Sequence, residues 1–252
     1  MLAYRVLAAG DTALAVEFGE DIDRKISTTV LALARRLSTA RLDGIVETVP
    51  TFRSLMIHYD PLRLPMDELS AYIAGLMQRL DTAEVAGRRW RLPACYDESI
   101  APDLSEVAAR TGLSPSQVIE RHSAVSYHVY TLGFQPGFAY LGDVSPELVL
   151  PRREIPRSKV PAGSLAIAAK MTAVYPLECP AGWHLIGRSP APFWEPPPKA
   201  TALLAPGDKV TFTPVSLREY ETLRAQGADS AFKATLIDGD EPSGKATVVE
   251  AA

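Results

Sequence analysis

The sequence predicts an α+β protein, in which an N-terminal sheet-and-helix unit precedes a segment of short strands folded as a β-barrel or sandwich. Three observations predict it. Up to about residue 90 the apolar periodicities run strand, strand, helix, strand, strand, helix. From Tyr127 to Ser216 prolines are dense and helical spacing disappears, yet the chain stays apolar, the pattern of short strands joined by turns. Between the two lies the polar run DTAEVAGRR at 81–89, the composition of a domain boundary. On this pattern the chain divides into an α+β domain at 1–87, a barrel domain at 88–225 and a loosely ordered tail at 226–252.

In the first domain, YRVLAAG and TALAVEFG form strands around Gly10-Asp11, a dipeptide that supplies the positive φ of a tight hairpin. Ile22, Ile26, Val30, Leu33 and Leu37 recur at steps of three and four, one buried face of a helix over Asp21–Leu37. GIVETVPTF and SLMIHYDP read as two more strands, and Met66, Leu69, Ile73, Leu76 and Leu80 repeat the helical spacing. The order ββαββα describes an antiparallel-rich sheet covered on one side by two helices, with nothing catalytic in it.

In the second domain WRLPACY reads as a strand. Two short helices follow, one opened by Asp103 with Glu106, the other by Ser114 with Pro115 and Gln117. Both are capping-box spacings, in which cap and third helical residue satisfy each other's backbone donors. PGDKVTFTPV turns at Gly207-Asp208 and alternates through Val210 and Phe212, and Ser216 with Glu219 caps a last helix. ATVVE in the tail has the composition of a strand in search of a partner.

The chain has 252 residues, 47% hydrophobic and 22% charged, enough for a sizeable core, and a net charge of −4. That mild acidic balance argues against nucleic acid and against an anionic membrane surface, both of which need clustered positive charge. Small polar or anionic substrates remain open. The start, MLAYRVLAAGDTALAVEFGE, has the look of a signal peptide, but Gly10 and Asp11 break its apolar run and strand-like alternation follows. Cys95 and Cys179 are too few for a disulfide framework. The protein reads as cytoplasmic.

Chemistry-bearing patterns are sparse. GWHLIGRS, Gly182–Ser189, nearly fits the phosphate-binding spacing G-x-x-x-x-G-K-[ST]. Its interior is bulky, Arg188 replaces the lysine, and SPAPFWEPPP after it cannot supply the helix such a loop needs. His122 and His128 are six apart, Cys179 and His184 five apart, with no further ligand at metal-binding spacing, so no metal site is expected. No G-x-S-x-G elbow occurs, and Ser164 in VPAGS reads as a turn serine. His122 ends a helix just before the glycine-rich TLGFQPGFAYLG, as a helix C-cap or as a presented base. PRREIPRSK concentrates Arg152, Arg153, Arg157 and Lys159 between prolines, an arrangement that suits a carboxylate or phosphate, or else a solvated surface.

Read together, YTLGFQPGFAYLG, LPRREIPRSKVPAGSLAIA, VYPLECPAGWHLIGRSP and LLAPGDKVTFTPV resemble the family of the 5-oxoprolinase B subunit, also described as allophanate hydrolase subunit 1 or the sporulation-kinase inhibitor. GDTALAVEFG, VETVPTFRSLMIHYDP and LSPSQVIERHSA extend the resemblance over nearly the whole chain up to about Pro214. It implies an α+β N-terminal domain and a cyclophilin-like β-barrel. The resemblance also implies pairing with a second barrel subunit, the C subunit of 5-oxoprolinase or an allophanate hydrolase subunit 2-like chain, joined by a third subunit. The paired domains look like the carboxyltransferase region of urea carboxylase. The implied activity is that of a non-autonomous subunit of an ATP-dependent 5-oxoprolinase, which opens 5-oxoproline to glutamate. ATP and magnesium are then held largely by a partner subunit. The alternatives are a module that inhibits a sensor histidine kinase and a subunit handling urea-derived allophanate.

On this resemblance TLGFQPGFAYLG is a rigid rim lining a cleft, or a tight barrel corner with its rings in the core. The candidate cleft collects His122, Tyr130, Phe134, Pro136, Gly137, Phe138, Tyr140, Arg152, Arg157, Ser164, Lys170, Thr172, Tyr175, Trp183, His184 and Arg188, with no catalytic residue assigned. One departure stands out. Where the family usually reads Gly-Gly-Gln-Thr-Gly before Ile-Tyr-Pro, this chain has Ala169, Lys170, Met171, Thr172 and Ala173 before Val174, Tyr175 and Pro176. The substitution narrows the positive-φ options. Either the cleft takes a more anionic ligand, with Lys170 and Arg152 or Arg157 facing the same cavity as Tyr140 and His122, or this loop is not functional.

Overall fold

In a computed structural model of the protein, described over residues 2–82, 87–228, 235–236 and 247–248, the chain divides into two compact units, Met1–Ala86 and Gly87–Ala252. The first runs β1 (Arg5–Ala8), β2 (Ala13–Glu17), α1 (Arg24–Ala40), β3 (Ile45–Pro50), β4 (Ser54–Tyr59) and α2 (Met66–Gln78). Its sheet is antiparallel in the order β1-β2-β4-β3. Leu14, Val16, Leu55 and Ile57 from the sheet meet Val30, Leu33 and Leu37 of α1 and Leu69 and Ile73 of α2 in one core. The expected ββαββα layer is present. Helix α1 starts later than its periodicity predicts, because the Asp23 carboxylate accepts from the backbone N–H of Lys25 at 2.8 Å and Ile26 at 3.1 Å and so caps the helix there. Ile22 therefore falls outside it and is 51% exposed.

The second unit runs β5 (Arg89–Ala94), α3 (Leu104–Thr111), α4 (Pro115–Ser123), β6 (Tyr127–Leu132) and β7 (Ala139–Gly142), then a 3-10 turn at Pro146–Leu148. It continues β8 (Arg157–Val160), β9 (Ser164–Ala168), β10 (Met171–Val174), β11 (Cys179–Ala181), β12 (His184–Arg188), β13 (Trp194–Glu195), β14 (Thr201–Ala202), β15 (Lys209–Pro214), α5 (Leu217–Ala228), β16 (Thr235–Leu236) and β17 (Thr247–Val248). Nine strands form a barrel-like sheet in the order β12-β9-β10-β7-β6-β15-β5-β16-β17. Its apolar face, with Leu92, Val129, Leu141, Ile167, Val174 and Phe212, packs against Leu104 and Val107 of α3 and Val118 of α4. The pairing of β15 with β5 is parallel, Lys209 to Arg89 through Pro214 to Ala94. Buried Asp208 anchors that junction by accepting from the Arg88 N–H at 2.9 Å, the Trp90 indole at 2.8 Å and the Ala205 N–H at 3.0 Å.

Thr247–Val248, inside ATVVE, pairs with Thr235–Leu236, which lies against β5. The remaining stretches of the expected loose tail, at 229–234, 237–246 and 249–252, lie outside the described residues, as do residues 83–86 of the boundary run. Among the described residues no helix is long and apolar enough to cross a membrane. GWHLIGRS contributes strand β12, as its bulk demands. Gly187 is required there because a Cβ would meet the Cys95 carbonyl oxygen at 2.6 Å, where the end of β5 bridges to Arg188.

Of the two expected capping boxes, the second forms: Ser114 Oγ accepts from Gln117 N–H at 3.2 Å and Gln117 Oε1 accepts from Ser114 N–H at 2.8 Å. Asp103 does not cap α3. Its carboxylate, 2% exposed, accepts instead from Arg153 at 2.9 Å, from Arg157 at 2.8 Å and from the Leu185 N–H at 2.7 Å. Two guanidiniums outcompete a local backbone donor because charge-assisted bonds are roughly twice as strong as neutral ones. Asp103→Ala leaves Arg157 without its carboxylate, Arg153 with Glu106 alone and the Leu185 N–H without its acceptor, and breaking a largely buried ion cluster costs about 3 kcal/mol. The urea midpoint of the variant is expected to fall accordingly, and an unchanged midpoint would contradict the assignment.

Candidate functional site

TLGFQPGFAYLG is a β-hairpin, the end of β6 joined to β7 by a six-residue loop, 133–138. The loop is closed by Gly133 N–H donating to Phe138 O at 3.1 Å and Phe138 N–H donating to Gln135 O at 3.1 Å. It is tied outward by Gln135 Nε2 donating to Leu177 O at 3.3 Å. Gly137 sits at φ 75°, and a Cβ there would meet Phe193 O at 2.5 Å and Trp194 Cβ at 2.8 Å. Only glycine fits that close approach. Phe134 holds φ 66°, a conformation rare for a bulky residue and maintained only where the surroundings over-determine it. The residue is 61% exposed.

The hairpin carries one wall of a cavity of about 110 Å³, lined by Phe134, Phe138, Tyr140, Arg152, Tyr175, Trp183 and the backbone stretch Pro180–Gly182. Phe138 is the hub of its rings, with centroids 4.9 Å from Tyr140, 5.2 Å from Tyr175, 5.3 Å from Phe134 and 5.9 Å from Trp183. These tilted and edge-on contacts are the favourable geometries for aromatic pairs. Burial pushes the phenols of Tyr140 and Tyr175 up, while the charge of Arg152 pulls both the other way. Both remain neutral hydroxyls near neutral pH. Larger hollows of about 360, 440 and 490 Å³ lie on the N-terminal unit, and none of them is walled by converging rings.

The other sequence candidates lie elsewhere. Pro136 and Gly137 shape the hairpin loop without lining the cavity. Tyr130 donates to Asp143 Oδ1 at 3.3 Å and stacks edge-on with His128. Lys170 is exposed at the β9–β10 turn, and Arg157 is held by Asp103, so neither shares the cavity of Tyr140 and Arg152; the expected cluster of Lys170, Arg157 and His122 around that cavity does not form. Ala169, in the β9–β10 turn, holds the left-handed φ of 49°, and its N–H bonds Leu150 O at 2.6 Å. Ser164 opens β9 with its hydroxyl buried and, among the described residues, without a hydrogen-bond partner, so none of these residues activates it as a base. His184 bonds the Pro151 carbonyl at 2.9 Å through Nε2, and Arg188 is part of the bridge to Cys95. Among the described residues no group of three or more His, Cys, Asp and Glu side chains is placed to hold a metal.

His122 lies in the last turn of α4 with its side chain in the core, apart from the aromatic cavity. It is fully buried, with Nδ1 2.8 Å from the Tyr96 hydroxyl and Nε2 2.9 Å from Thr172 Oγ1, and stacks on Phe212 at 5.3 Å. Thr172 Oγ1 donates to Ala166 O at 3.0 Å. It therefore accepts from His122 Nε2–H, which leaves Nδ1 to accept from Tyr96. Tyr96 did not stand out in the sequence, and Asp103 did so only as a helix cap, because their partners lie in other elements.

Residues 4–204 match the family described as carboxyltransferase domain, subdomain C and D. The chain belongs to this family. It is similar to the 5-oxoprolinase B subunit of Bacillus subtilis, 34% identical over 234 residues that span 88% of this chain and 98% of that one. Among solved structures, the protein TTHA0988 is 37% identical with a TM-score of 0.72, covering 81% of this chain, which spans 40% of that longer one. The urea carboxylase of Kluyveromyces lactis superposes with a TM-score of 0.72 at 20% identity, over 94% of this chain and 24% of its own, a likeness of fold. The carboxyltransferase-type fold implied by the sequence is thus the fold of the protein.

Burial lowers the pKa of His122 from 6.5 to about 3. A lowered imidazole pKa means that the unfolded chain binds a proton which the native state refuses between these values. The stability from neutral His122 is complete above pH 6.5 and is lost as pH falls toward 3. The variant His122→Gln is expected to be less stable than the parent at neutral pH, with the difference in urea midpoint narrowing steadily below about pH 6. A pH-independent difference would contradict the buried neutral state.

Proposed function

We propose that this chain is a non-autonomous subunit of an ATP-dependent 5-oxoprolinase, acting with a second barrel subunit and a third subunit. It supplies the small-molecule cavity, and its partners hold ATP and magnesium. The observation that carries the reading is an aromatic-walled cavity in a chain matched along 98% of a 5-oxoprolinase B subunit. A cavity of about 110 Å³ is well below the roughly 300–1,000 Å³ that drug-sized ligands occupy. It suits a single small ring and has no room for a nucleotide.

Opening an unreactive lactam at the expense of ATP requires phosphoryl transfer, which needs converging backbone amides and carboxylates on magnesium. The segment nearest to such a cradle, GWHLIGRS, is engaged in strand pairing through β12, and Asp103, the buried carboxylate beside it, is saturated by arginines. The nucleotide chemistry therefore falls to a partner. The likeness to urea carboxylase at 20% identity concerns fold and carries no substrate.

The purified chain mixed with ATP, magnesium and 5-oxoproline is expected to form no glutamate, and the second barrel and third subunits are expected to restore turnover. Turnover by the chain alone would reveal a nucleotide site within it. Failure to bind any second barrel subunit would favour the kinase-binding alternative.

A further inference from the structure

Four cations crowd the segment Pro151–Lys159, and three are paired with carboxylates. Arg153 pairs with Asp103 and Glu106, Arg157 pairs with Asp103, and Lys159 lies 3.2 Å from Glu178. Arg152 has no carboxylate partner among the described residues, and it lines the aromatic cavity. Its field is felt there, since it acts on both Tyr140 and Tyr175. Backbone bonding fixes its position. The next residue, Arg153, donates its N–H to Gly182 O at 2.8 Å, which pins the arginine segment to the cavity wall formed by Pro180–Gly182.

An aromatic-walled cavity of this size takes either an organic cation, through the negative faces of its rings, or a flat neutral ring. A guanidinium at the cavity wall decides against the cation and adds demand for an anion. The planar fork of arginine matches a carboxylate bidentately, while Phe138, Tyr175 and Trp183 offer edges and faces to a small ring. We infer that Arg152 and the ring cage together form a subsite for small cyclic carboxylates, with the carboxylate on Arg152 and the ring against Phe138 and Trp183. This rests on the proposed function only in naming 5-oxoproline as the first ligand to try. It assigns a specificity-determining residue that reads the substrate's carboxylate, apart from whatever group acts on its amide.

The test is binding to the full chain by calorimetry, with 5-oxoproline, with 2-pyrrolidinone, which keeps the lactam ring and lacks the carboxylate, and with proline, which keeps the carboxylate and lacks the lactam. The cage is expected to bind 5-oxoproline roughly 10–100-fold more tightly than 2-pyrrolidinone, the range set by a charge-assisted hydrogen bond. Arg152→Gln is expected to erase that preference and Arg152→Lys to restore part of it, because lysine keeps the charge and loses the fork. Arg152 is exposed and bonds no other residue's carboxylate among the described residues, so an unchanged melting temperature in both variants shows that folding is not the cause. Equal affinity for 5-oxoproline and 2-pyrrolidinone, or Arg152→Gln with parental affinity, would overturn the inference, as would a chain that binds neither carboxylate. Carboxylate binding in a chain whose assembled complex fails to produce glutamate would overturn the 5-oxoprolinase reading and leave the subsite standing.

Discussion

The second unit is organised around one buried carboxylate. Asp103 stands at the entry to α3, yet it holds Arg153 and Arg157 and accepts from the Leu185 N–H of β12. A single anion thereby fastens a helix start, an irregular arginine segment and a barrel strand. Taking these charges out of water is expensive, and the cluster persists because each lone pair finds a donor. Its consequence for function is electrostatic. With Arg153 paired to Asp103 and Glu106, Arg157 to Asp103 and Lys159 to Glu178, Arg152 is the cation of the segment that faces the cavity.

Rigidity of the opposite wall has a different origin. The 133–138 loop is closed on itself by short backbone bonds, holds Phe134 at positive φ and seats Gly137 where only a hydrogen fits against Phe193 O. Strain of this sort is tolerated where packing over-determines the backbone, and here the Phe138 ring, with four aromatic neighbours, provides that packing. His122 serves the same end from within the core, joining α4 to β10 through Thr172 and to the segment after β5 through Tyr96.

Periodicity exposed the N-terminal unit because each of its elements buries one face, and Ser114 with Gln117 announced α4 because a capping box is a local contact. Asp103 with Glu106 has the same spacing and misled, since its true partners are 50 and 54 residues away. The parallel pairing of Lys209 with Arg89 was equally hidden, because strand order in a barrel is decided by contacts between distant segments. Of the candidates that the motifs gathered, Phe134, Phe138, Tyr140, Arg152, Tyr175 and Trp183 line one cavity. The motifs also swept in His122 and Thr172, which belong to the core, and Lys170, which is exposed. Residue type marked these positions as polar or basic, and only the register of β9 and β10 tells on which side each one stands.

The proposed binding of a small cyclic carboxylate in the cavity is tested most directly by the indole N–H signals of a nitrogen-15-labelled chain. Of the tryptophans, Trp183 lines the cavity, whereas Trp90 is committed to Asp208 through its indole N–H. Titration with 5-oxoproline should shift the Trp183 signal saturably and leave that of Trp90 in place. A Trp183 signal that stays fixed at ligand concentrations supporting turnover by the assembled complex would contradict that placement of the substrate.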